Sequence, residues 1–304
     1  MIRKAVIPAA GFGTRFLPAT KSQPKEMLPI VDTPVIQYVV EEAVAAGIRD
    51  VLMVIGKGKR AIEEHFDRSF QLEAQLLEKG RHEVLAELRR ISELADIHFV
   101  WQKQTRGLGD AVYCARYHVN DEPFAVLLGD TLIDAETPAL RQLLDAYGRC
   151  DGPVVLVEPV DPDRVNRYGV IDGDEIEPGL FRVKDFVEKP DPADAPSNLA
   201  IASRYILTPD IFEDIEQTAP GRGGEIQITD AMRRMVRRRP MYACRLVGRR
   251  CDIGNKEGFV RTNLEFALKR PDMADAMRRL IHELGRAIEP PHNGPSKASE
   301  GGRP

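Results

Sequence analysis

The stretch AAGFGTRFLPATKSQPKEMLP, residues 9–29, follows directly on the apolar run AVIP at residues 5–8. An apolar strand that opens into a glycine loop is typical of α/β proteins, which bind ligands beyond the carboxyl ends of their strands. Gly11 and Gly13 lie two residues apart, and glycine has no Cβ to keep a ligand away from the backbone. The stretch therefore predicts a ligand loop at the edge of a sheet.

The same loop carries two cations, Arg15 and Lys25. Basic side chains beside exposed backbone N–H groups indicate that the ligand carries phosphate. Two familiar phosphate loops do not match. The dinucleotide fingerprint needs a third glycine where this chain has Phe16, and a helix that Pro18 and Pro24 forbid. The Walker pattern needs a Gly-Lys-Ser/Thr run that is absent from the loop sequence.

Composition excludes several functional classes. The 304 residues carry a formal net charge of −4, so no global basic field favours nucleic acid as a partner. No apolar stretch approaches the length of a membrane span, and the N-terminal apolar run is too short for a signal peptide. The four cysteines form no C-x-x-C pair. We expect a cytoplasmic protein with reduced cysteines and no contact with a membrane.

Strand-like and helix-like segments alternate through the first half of the chain. A helix is predicted from Pro34 to Ala46, with Thr33 as its N-cap and Pro34 in its first turn. Two further segments, KRAIEEHF and GDAVYCARYHV, have helical patterns, and the apolar runs KAVIPAAG, DVLMVIG, IHFVWQ and FAVLLGD read as strands. Continuous apolar strands separated by helices predict an α/β fold with a doubly wound, mostly parallel sheet.

The second half has a different texture. RYGVI, LFRVKDFVEKP and NLAIASRYIL read as shorter, more exposed strands, which predict a small additional β region that forms a second wall of the site. Residues 67–96 have apolar positions at helical spacing and predict a helical insertion. Residues 289–304 have almost no large apolar side chains and predict a disordered tail. Residues 1–288 are expected to form a single domain.

Polar side chains follow several of the predicted strands. Gln102 comes after IHFVW, Asp130 after FAVLL, and Asp252 stands in a similar strand-turn setting. Such carboxylates suit Mg²⁺, although each could instead cap a turn or a helix. In VEKP, Glu188 and Lys189 can serve one ligand only if the chain bends there, because consecutive strand residues point to opposite faces. A surface salt bridge is the alternative.

Several motifs along the chain resemble those of a known family. The long loop and its continuation DTPVIQYVVEEA, together with HFDRSFQLEAQL, GLGDAV, YGVI, VEKP, APSNLAIASRYIL and GGEIQITDAM, resemble the bacterial UTP–glucose-1-phosphate uridylyltransferase family. The motifs occur in the family's order and cover roughly residues 1–270. The G-x-G-T-R…P-K pattern marks only the wider sugar-nucleotidyltransferase group. The blocks HFDRSFQLEAQL and KEMLP…QYVVEEA are specific to the uridylyl branch.

The resemblance implies a Rossmann-like nucleotidyltransferase domain and a reaction. UMP would pass from UTP to glucose 1-phosphate with Mg²⁺, giving UDP-glucose and pyrophosphate. The nucleophile is already an anionic phosphate oxygen, so the chemistry requires alignment and charge neutralisation rather than a general base. The prolines would hold the loop extended over the triphosphate. The resemblance also implies a homo-oligomer, a dimer or a tetramer.

Residue roles follow from the positions that match the family's motifs. The implied nucleotide contacts comprise backbone atoms of the glycine loop, cations facing the triphosphate, groups near the base and one aspartate. A glutamine amide, with a donor and an acceptor, can pair with the imide edge of uracil. The implied sets are Ala9, Ala10, Gly11, Gly13 and Thr14 on the nucleotide; Arg15 and Lys25 on the triphosphate; Glu26, Gln102 and Gly107 near the base; Gly169, Glu188 and Asn198 on the sugar; Lys189 on its phosphate; and Asp130 on the nucleotide and, with Asp252, on the metal.

Three residues depart from the family's usual pattern. Asp110 stands where the family commonly has His, Thr131 where many members have Asp or Val, and Ile253 where Cys is frequent. Asp110 adds a negative charge near the base side of the site, which bears on nucleotide preference. Two other functions stay open: thymidylyl transfer to the same sugar phosphate, and a weakly active regulatory paralogue. Retention of the implied cationic and metal-binding residues argues against the paralogue.

Overall fold

The computed structural model describes residues 2–251 and 253–288. Asp252 and the tail at residues 289–304, with the predictions made for them, lie outside the described residues. The strands are β1 (Lys4–Ala9), β2 (Pro29–Ile30), β3 (Thr33–Pro34), β4 (Asp50–Ile55), β5 (Asp96–Trp101), β6 (Phe124–Leu127), β7 (Leu132–Asp134), β8 (Val154–Pro159), β9 (Gly169–Glu177), β10 (Leu180–Glu188), β11 (Leu199–Leu207), β12 (Tyr242–Arg245) and β13 (Arg249–Cys251). The helices are α1 (Val35–Ala45), α2 (Arg60–Phe66), α3 (Phe70–Glu78), α4 (His82–Ser92), α5 (Leu108–Tyr113), α6 (Arg116–Val119), α7 (Ala139–Tyr147), α8 (Ile211–Glu216), α9 (Ile228–Met235), α10 (Lys256–Lys269) and α11 (Ala274–Ile288).

The central sheet has the strand order β5-β4-β1-β6-β11-β8-β12-β10-β9. Strands β5, β4, β1 and β6 are parallel neighbours, as the apolar runs of the first half predict. Beyond β6 the sheet changes character, because β11 runs antiparallel to both β6 and β8, and β10 runs antiparallel to both β12 and β9. The prediction of an α/β fold is confirmed, with a mixed sheet.

Helices cover both faces of this sheet. On one face α1 and α7 bury Ile36 and Leu140 in one apolar cluster, where α7 packs on β8 and β11. On the other face α5 and α9 bury Val112 and Met232 in a second cluster, where α5 packs on β1 and α9 on β10. A smaller cluster joins α10 to the short strands β2, β7 and β13. Each face thus removes its apolar side chains from water, the main favourable contribution to folding.

Three local predictions differ from the structure. Helix α1 begins at Val35, and Thr33 makes no cap because it pairs in the small ladder between β2 and β3. The segment GDAVYCARYHV forms two short helices, α5 and α6, instead of one. The proline-rich loop is not extended, since it folds into three 3₁₀ turns at Thr14–Phe16, Ala19–Lys21 and Lys25–Met27. The prolines exclude a long helix but still permit single turns.

The strands of the second half extend the central sheet instead of forming a separate region. β11 is buried along nearly its whole length between β6 and β8, so the expectation of a short, exposed strand is wrong for it. β9 and β10 form the outer antiparallel pair at the sheet edge. Residues 67–96 fold mainly as α3 and α4, and no helix among the described residues is long and apolar enough to cross a membrane.

A crevice opens between β1 and β6 at their carboxyl ends. β1 pairs with β4 as far as Ala9 but with β6 only as far as Val6. Pro8, which has no N–H to donate, lies beyond the last pairing with β6, and its carbonyl accepts from Gly129 N at 3.2 Å. The glycine loop thus begins at the carboxyl edge that β1 and β6 share, and open α/β sheets bind ligands in crevices at this edge.

Candidate active site

Two adjoining cavities, of about 470 and 560 Å³, occupy the crevice and its continuation toward β10. Both cavities lie at the carboxyl ends of β1 and β6. Six residues line both of them and form the boundary between the two. A ligand with a base at one end and a phosphorylated group at the other can span the pair. The shared lining residues are Gly11, Phe12, Lys25, Leu128, Asp130 and Glu225.

The glycine loop wraps around the side chain of Lys25. Gly13 has φ +67°, and a Cβ there would lie 2.9 Å from Lys25 Cβ, closer than side chains can pack. A Cβ at Gly11 would lie 3.4 Å from Lys25 Nζ. Thr20 Oγ1 donates to Gly13 O at 2.7 Å and closes the loop. Position 13 thus requires glycine, because its backbone is left-handed and Lys25 leaves no room for a Cβ.

Lys25 and Asp130 face each other at the centre of the cleft. Lys25 Nζ lies 2.5 Å from Asp130 Oδ2. Burial alone would raise the pKa of Asp130, but the Lys25 ammonium outweighs it and holds that pKa below its ordinary value. Burial opposes the charge on Lys25, but Asp130 and Glu26 overcome it, so the pKa of Lys25 is raised. Both groups are therefore charged at neutral pH.

Lys59 is a site residue that the sequence analysis missed. It is buried, and its Nζ donates to Glu26 Oε2 and to Gly11 O, each at 2.7 Å. Burial raises the pKa of Glu26 against the pull of Lys59, and burial lowers the pKa of Lys59. Lys59 thus links Glu26 to the glycine loop through these two hydrogen bonds. Its position after β4, which ends at the same sheet edge as β1, was the available signal.

Gln102 forms the far wall of the first cavity. It is buried, and its Nε2 donates to Asp110 Oδ2 at 2.8 Å and to Gly107 O at 3.1 Å. Arg106 donates to Asp110 Oδ1 from Nη2 and Nε, at 2.6 and 3.1 Å. Both N–H groups of the Gln102 amide are therefore committed to protein acceptors, and only its oxygen remains to receive a ligand hydrogen bond.

The loop around Gly107 is closed against a segment far along the chain. Gly109 N donates to Ile226 O at 2.8 Å, and Ile226 N donates to Arg106 O at 2.7 Å. A Cβ on Gly107 or Gly109 would lie 2.7 or 2.8 Å from Ile226 O. The neighbouring Glu225 lines both cavities and was also missed, although its motif carried part of the resemblance.

Cations surround the second cavity. Arg15, Arg167 and Lys189 line it together with Lys25. Lys189 has a left-handed backbone, φ +46°, and its N–H donates to Tyr168 O at 2.9 Å, so the chain bends immediately after β10. Lys189 Nζ lies 2.7 Å from Glu188 Oε1. A concave surface with this charge suits a ligand that carries phosphate.

The structure brings together most, but not all, of the residues singled out from the sequence. Glu188 and Gly169 are register partners on β10 and β9, and a Cβ on Gly169 would lie 2.8 Å from Thr229 Oγ1. Asn198 is exposed and its Nδ2 donates to Val160 O. Ala9 is buried in β1. Of the residues singled out from the sequence, those that line one or both cavities are Ala10, Gly11, Gly13, Thr14, Arg15, Lys25, Glu26, Gln102, Gly107, Asp130 and Lys189.

The three departures from the family pattern occupy different positions relative to the cavities. Ile253 is buried in the small cluster with β2 and β13 and also lines the second cavity. Thr131 Oγ1 donates to Ser203 Oγ at 3.2 Å, and its carbonyl accepts from the buried Arg204. Asp110, by contrast, contacts a residue that lines the first cavity.

The sheet, the glycine loop and the cationic cleft together define a nucleotide-handling α/β protein. Residues 4–268 match the family model described as "Nucleotidyl transferase", and the chain belongs to that family. A more specific relationship is also established. The chain is 53% identical to the UTP–glucose-1-phosphate uridylyltransferase of Bacillus subtilis (strain 168), over 91% of this chain and 94% of that relative. The resemblance inferred from the sequence is confirmed.

Solved structures agree with this relationship. A UTP-bound UGPase from Acinetobacter baumannii superposes with a TM-score of 0.87 at 39% identity. The match covers 93% of this chain and 100% of that chain. A UDP-glucose pyrophosphorylase complexed with UDP-glucose gives a TM-score of 0.82 at 44% identity, covering 89% of this chain and 100% of the other. Those proteins bind a uridine nucleotide and a nucleotide sugar on the same fold.

Proposed function

We propose that this protein transfers UMP from UTP to glucose 1-phosphate and releases pyrophosphate, forming UDP-glucose. The observation that carries the proposal is the pair of adjoining cavities that share Lys25 and Asp130. The first cavity is lined by Gln102, whose amide oxygen suits a base. The second is lined by four cationic side chains, which suit phosphate. The names of the relatives, and the ligands of the two solved structures, support the same pair of substrates.

The first cavity, together with the adjoining part of the second that Gly13, Thr14 and Arg15 line, is the proposed nucleotide site. Ala9, Ala10, Gly11, Gly13 and Thr14 would approach the nucleotide through their backbone, and Arg15 and Lys25 would neutralise the triphosphate. Gln102 and Gly107 would contact the base. Glu26 lines this cavity, but its carboxylate is held by Lys59, which favours a role in fixing the loop.

The second cavity is the proposed site for the sugar phosphate. Lys189 would bind the phosphate of glucose 1-phosphate, and Gly169, Glu188 and Asn198 would surround the sugar. The bend after β10 turns Lys189 toward the cleft while Glu188 stays in register with Gly169. Arg167 lines the same cavity and joins this set.

We also propose that Mg²⁺ binds at Asp130, with Asp252 as its second protein ligand. The donor chemistry fits: Asp130 is a carboxylate, only half-buried in the cleft, beside the cavity that would hold phosphate oxygens. A bound Mg²⁺ would supply charge neutralisation for the phosphates of the nucleotide.

The residues of the chain then need to do two things. They hold the phosphate oxygen of the sugar in line with the α-phosphorus, and they neutralise the charge that spreads over the phosphates. No general base is required, because the attacking oxygen is already an anion. Lys25, Arg15 and Lys189 are cations suited to this work, and Lys25 stands between the two cavities.

A coupled assay of pyrophosphate release tests the function. Purified protein should turn over UTP with glucose 1-phosphate, and other sugar 1-phosphates should be poorer acceptors. Turnover with dTTP in place of UTP separates uridylyl from thymidylyl transfer. Absence of pyrophosphate release with every pairing, from protein that binds UTP in calorimetry, would point to the regulatory alternative instead.

The proposal extends to the organisation of the chain. Residues 1–288 would act as one domain, with residues 67–96 as an insertion, and the protein would form a homo-oligomer. Leu280, Ile281 and Leu284 on α11 are 40%, 42% and 51% exposed, which leaves an apolar strip available for another subunit. Light scattering of the full chain measures the oligomeric state.

A further inference from the structure

Gln102 is held between two groups that can only accept hydrogen bonds. Asp110 Oδ2 lies 2.8 Å from its Nε2, and Gly107 O lies 3.1 Å from the same nitrogen. A flipped amide would place Oε1 against both of these oxygens. An ionised carboxylate and a backbone carbonyl have no proton to give, so the flipped orientation would set oxygen against oxygen twice. The position of the amide nitrogen is therefore dictated by its neighbours.

Asp110 is itself held in place. Its side chain is 7% exposed, and Arg106, four residues earlier in the loop before α5, donates to its Oδ1 from two nitrogens. The lining of the first cavity includes Gln102, Gly107 and Leu108 but neither Asp110 nor Arg106. The carboxylate therefore acts on a ligand only through the glutamine.

We propose that Asp110, fixed by Arg106, is a positioning residue that makes Gln102 present only its oxygen to the nucleotide base. An amide that presents oxygen accepts from the N3–H of uracil or thymine. Cytosine has an unprotonated N3, an acceptor, which would face the same oxygen. The chain thus selects an imide base. It rejects cytosine because two acceptors, Gln102 Oε1 and cytosine N3, would face each other. This inference rests on the proposed function, because it assigns the first cavity to the nucleotide.

The proposed role of Asp110 concerns cytosine alone. Uracil and thymine carry the same imide edge, so this arrangement does not separate UTP from dTTP. Rejection of cytosine should be strong, because Gln102 Oε1 and cytosine N3 would both be left without a hydrogen-bond donor inside the site. The effect should appear as a change in the ratio of CTP to UTP, and a general loss of activity would not produce it.

The test compares UTP, dTTP and CTP as substrates for the full chain and for Asp110→Asn. Asparagine keeps the shape, and its amide can donate to Oε1 of a turned Gln102. Gly107 O then remains as the only one of the two acceptors that opposes the turn, so Gln102 can more readily offer N–H to cytosine. We expect kcat/KM for CTP relative to UTP to rise about tenfold or more, while the ratio of dTTP to UTP stays unchanged. Arg116→Ala, which removes a cation from the next helix, serves as the control and should change neither ratio.

Arg106→Ala provides a second variant, since its side chain is 60% exposed and its loss should not prevent folding. It should shift the CTP to UTP ratio in the same direction by a smaller factor. If Asp110→Asn lowers kcat/KM for all three nucleotides equally, the residue is merely structural and the inference is overturned. Calorimetry with UTP and CTP alone measures the same preference without transfer. Loss of all transfer in the parent protein would instead overturn the proposed function.

Discussion

Lys59 and Glu26 form an ion pair inside the wall behind the glycine loop, with Lys59 Nζ 2.7 Å from Glu26 Oε2. The side chains are 6% and 1% exposed, so neither charge is solvated well by water. Such pairs contribute little net stability, but removal of one partner leaves the other charge buried and uncompensated. Because Lys59 also holds Gly11 O, the pair links the core of the protein to the ligand loop.

We predict that Lys59→Met destabilises the protein by about 3–5 kcal/mol, because Glu26 is then buried without its partner. Thermal or denaturant unfolding measures this. Adding Glu26→Gln to Lys59→Met should recover a large part of the loss, since no buried charge then remains. Lys57→Met, at an exposed lysine in the same loop, is the matched control and should stay within about 0.5 kcal/mol of the parent. Equal losses in the two single variants would contradict the prediction.

The assignment of the two cavities predicts a selective effect of Lys189→Ala. Glucose 1-phosphate should bind more weakly by about 10- to 150-fold, the range for loss of a charge-assisted contact of roughly 1.5–3 kcal/mol. UTP binding should be nearly unchanged, because Arg15 and Lys25 serve the triphosphate. Calorimetric UTP binding and the KM for glucose 1-phosphate are the two measurements. A variant that loses UTP binding but keeps its KM for the sugar phosphate would require the two sites to be exchanged.

Turnover should require a divalent metal and the carboxylate of Asp130. Asp130→Asn should lower kcat by about 10²-fold or more, as expected when a charged group is removed from such a centre. Excess EDTA should abolish activity and Mg²⁺ should restore it. Full activity in EDTA would disprove the metal requirement. Asp134→Asn, on the neighbouring strand β7 and paired with Lys269 at the surface, is a control that should retain activity.

Gly109→Ala should lower stability and weaken UTP binding together. The new Cβ would lie 2.8 Å from Ile226 O, so the closed loop around Gly107 must shift, at a cost of about 1–3 kcal/mol. Gly148→Ala is a matched control, because its φ is −63° and a Cβ there would meet nothing closer than 3.6 Å. The control should be neutral or slightly stabilising. Unfolding curves and calorimetry measure the effects, and equal behaviour of the two variants would count against the close packing.

The insertion should contribute stability that depends on pH. Hydrogen bonds from Arg68 and Arg89 lower the pKa of Glu73 from 4.5 to about 2. A carboxyl whose pKa is depressed by folding stabilises the protein fully above its unfolded pKa, and the contribution is lost as pH falls toward the folded value. The gap in unfolding free energy between the parent and Glu73→Gln should therefore be constant near neutrality and shrink below about pH 4.5. Glu78→Gln, on the same helix, should show no such gap, and a gap that widened in acid would refute the prediction.

The sequence by itself determined the parallel half of the fold and the position of the candidate site. Apolar runs fixed β1, β4, β5 and β6, and the residues just beyond them, Gln102 and Asp130, had to meet at one edge because parallel strands end together. The glycines and cations of the first loop indicated a phosphate ligand on local chemistry alone. These features depend on residues close together in the chain, and periodicity and composition report such features well.

Only the tertiary structure decided how distant segments pair. The burial of β11 between β6 and β8, the ion pair of Lys59 with Glu26, and the closure of Gly109 on Ile226 each join residues from separate elements. Thr33 shows the same principle on a small scale, since a ladder with Ile30 overrides its local preference for a cap. The pattern along a segment records how much of it is buried, but not which partner buries it. That choice depends on the packing of the whole chain, and it set the orientation of Gln102 through Asp110 and Gly107.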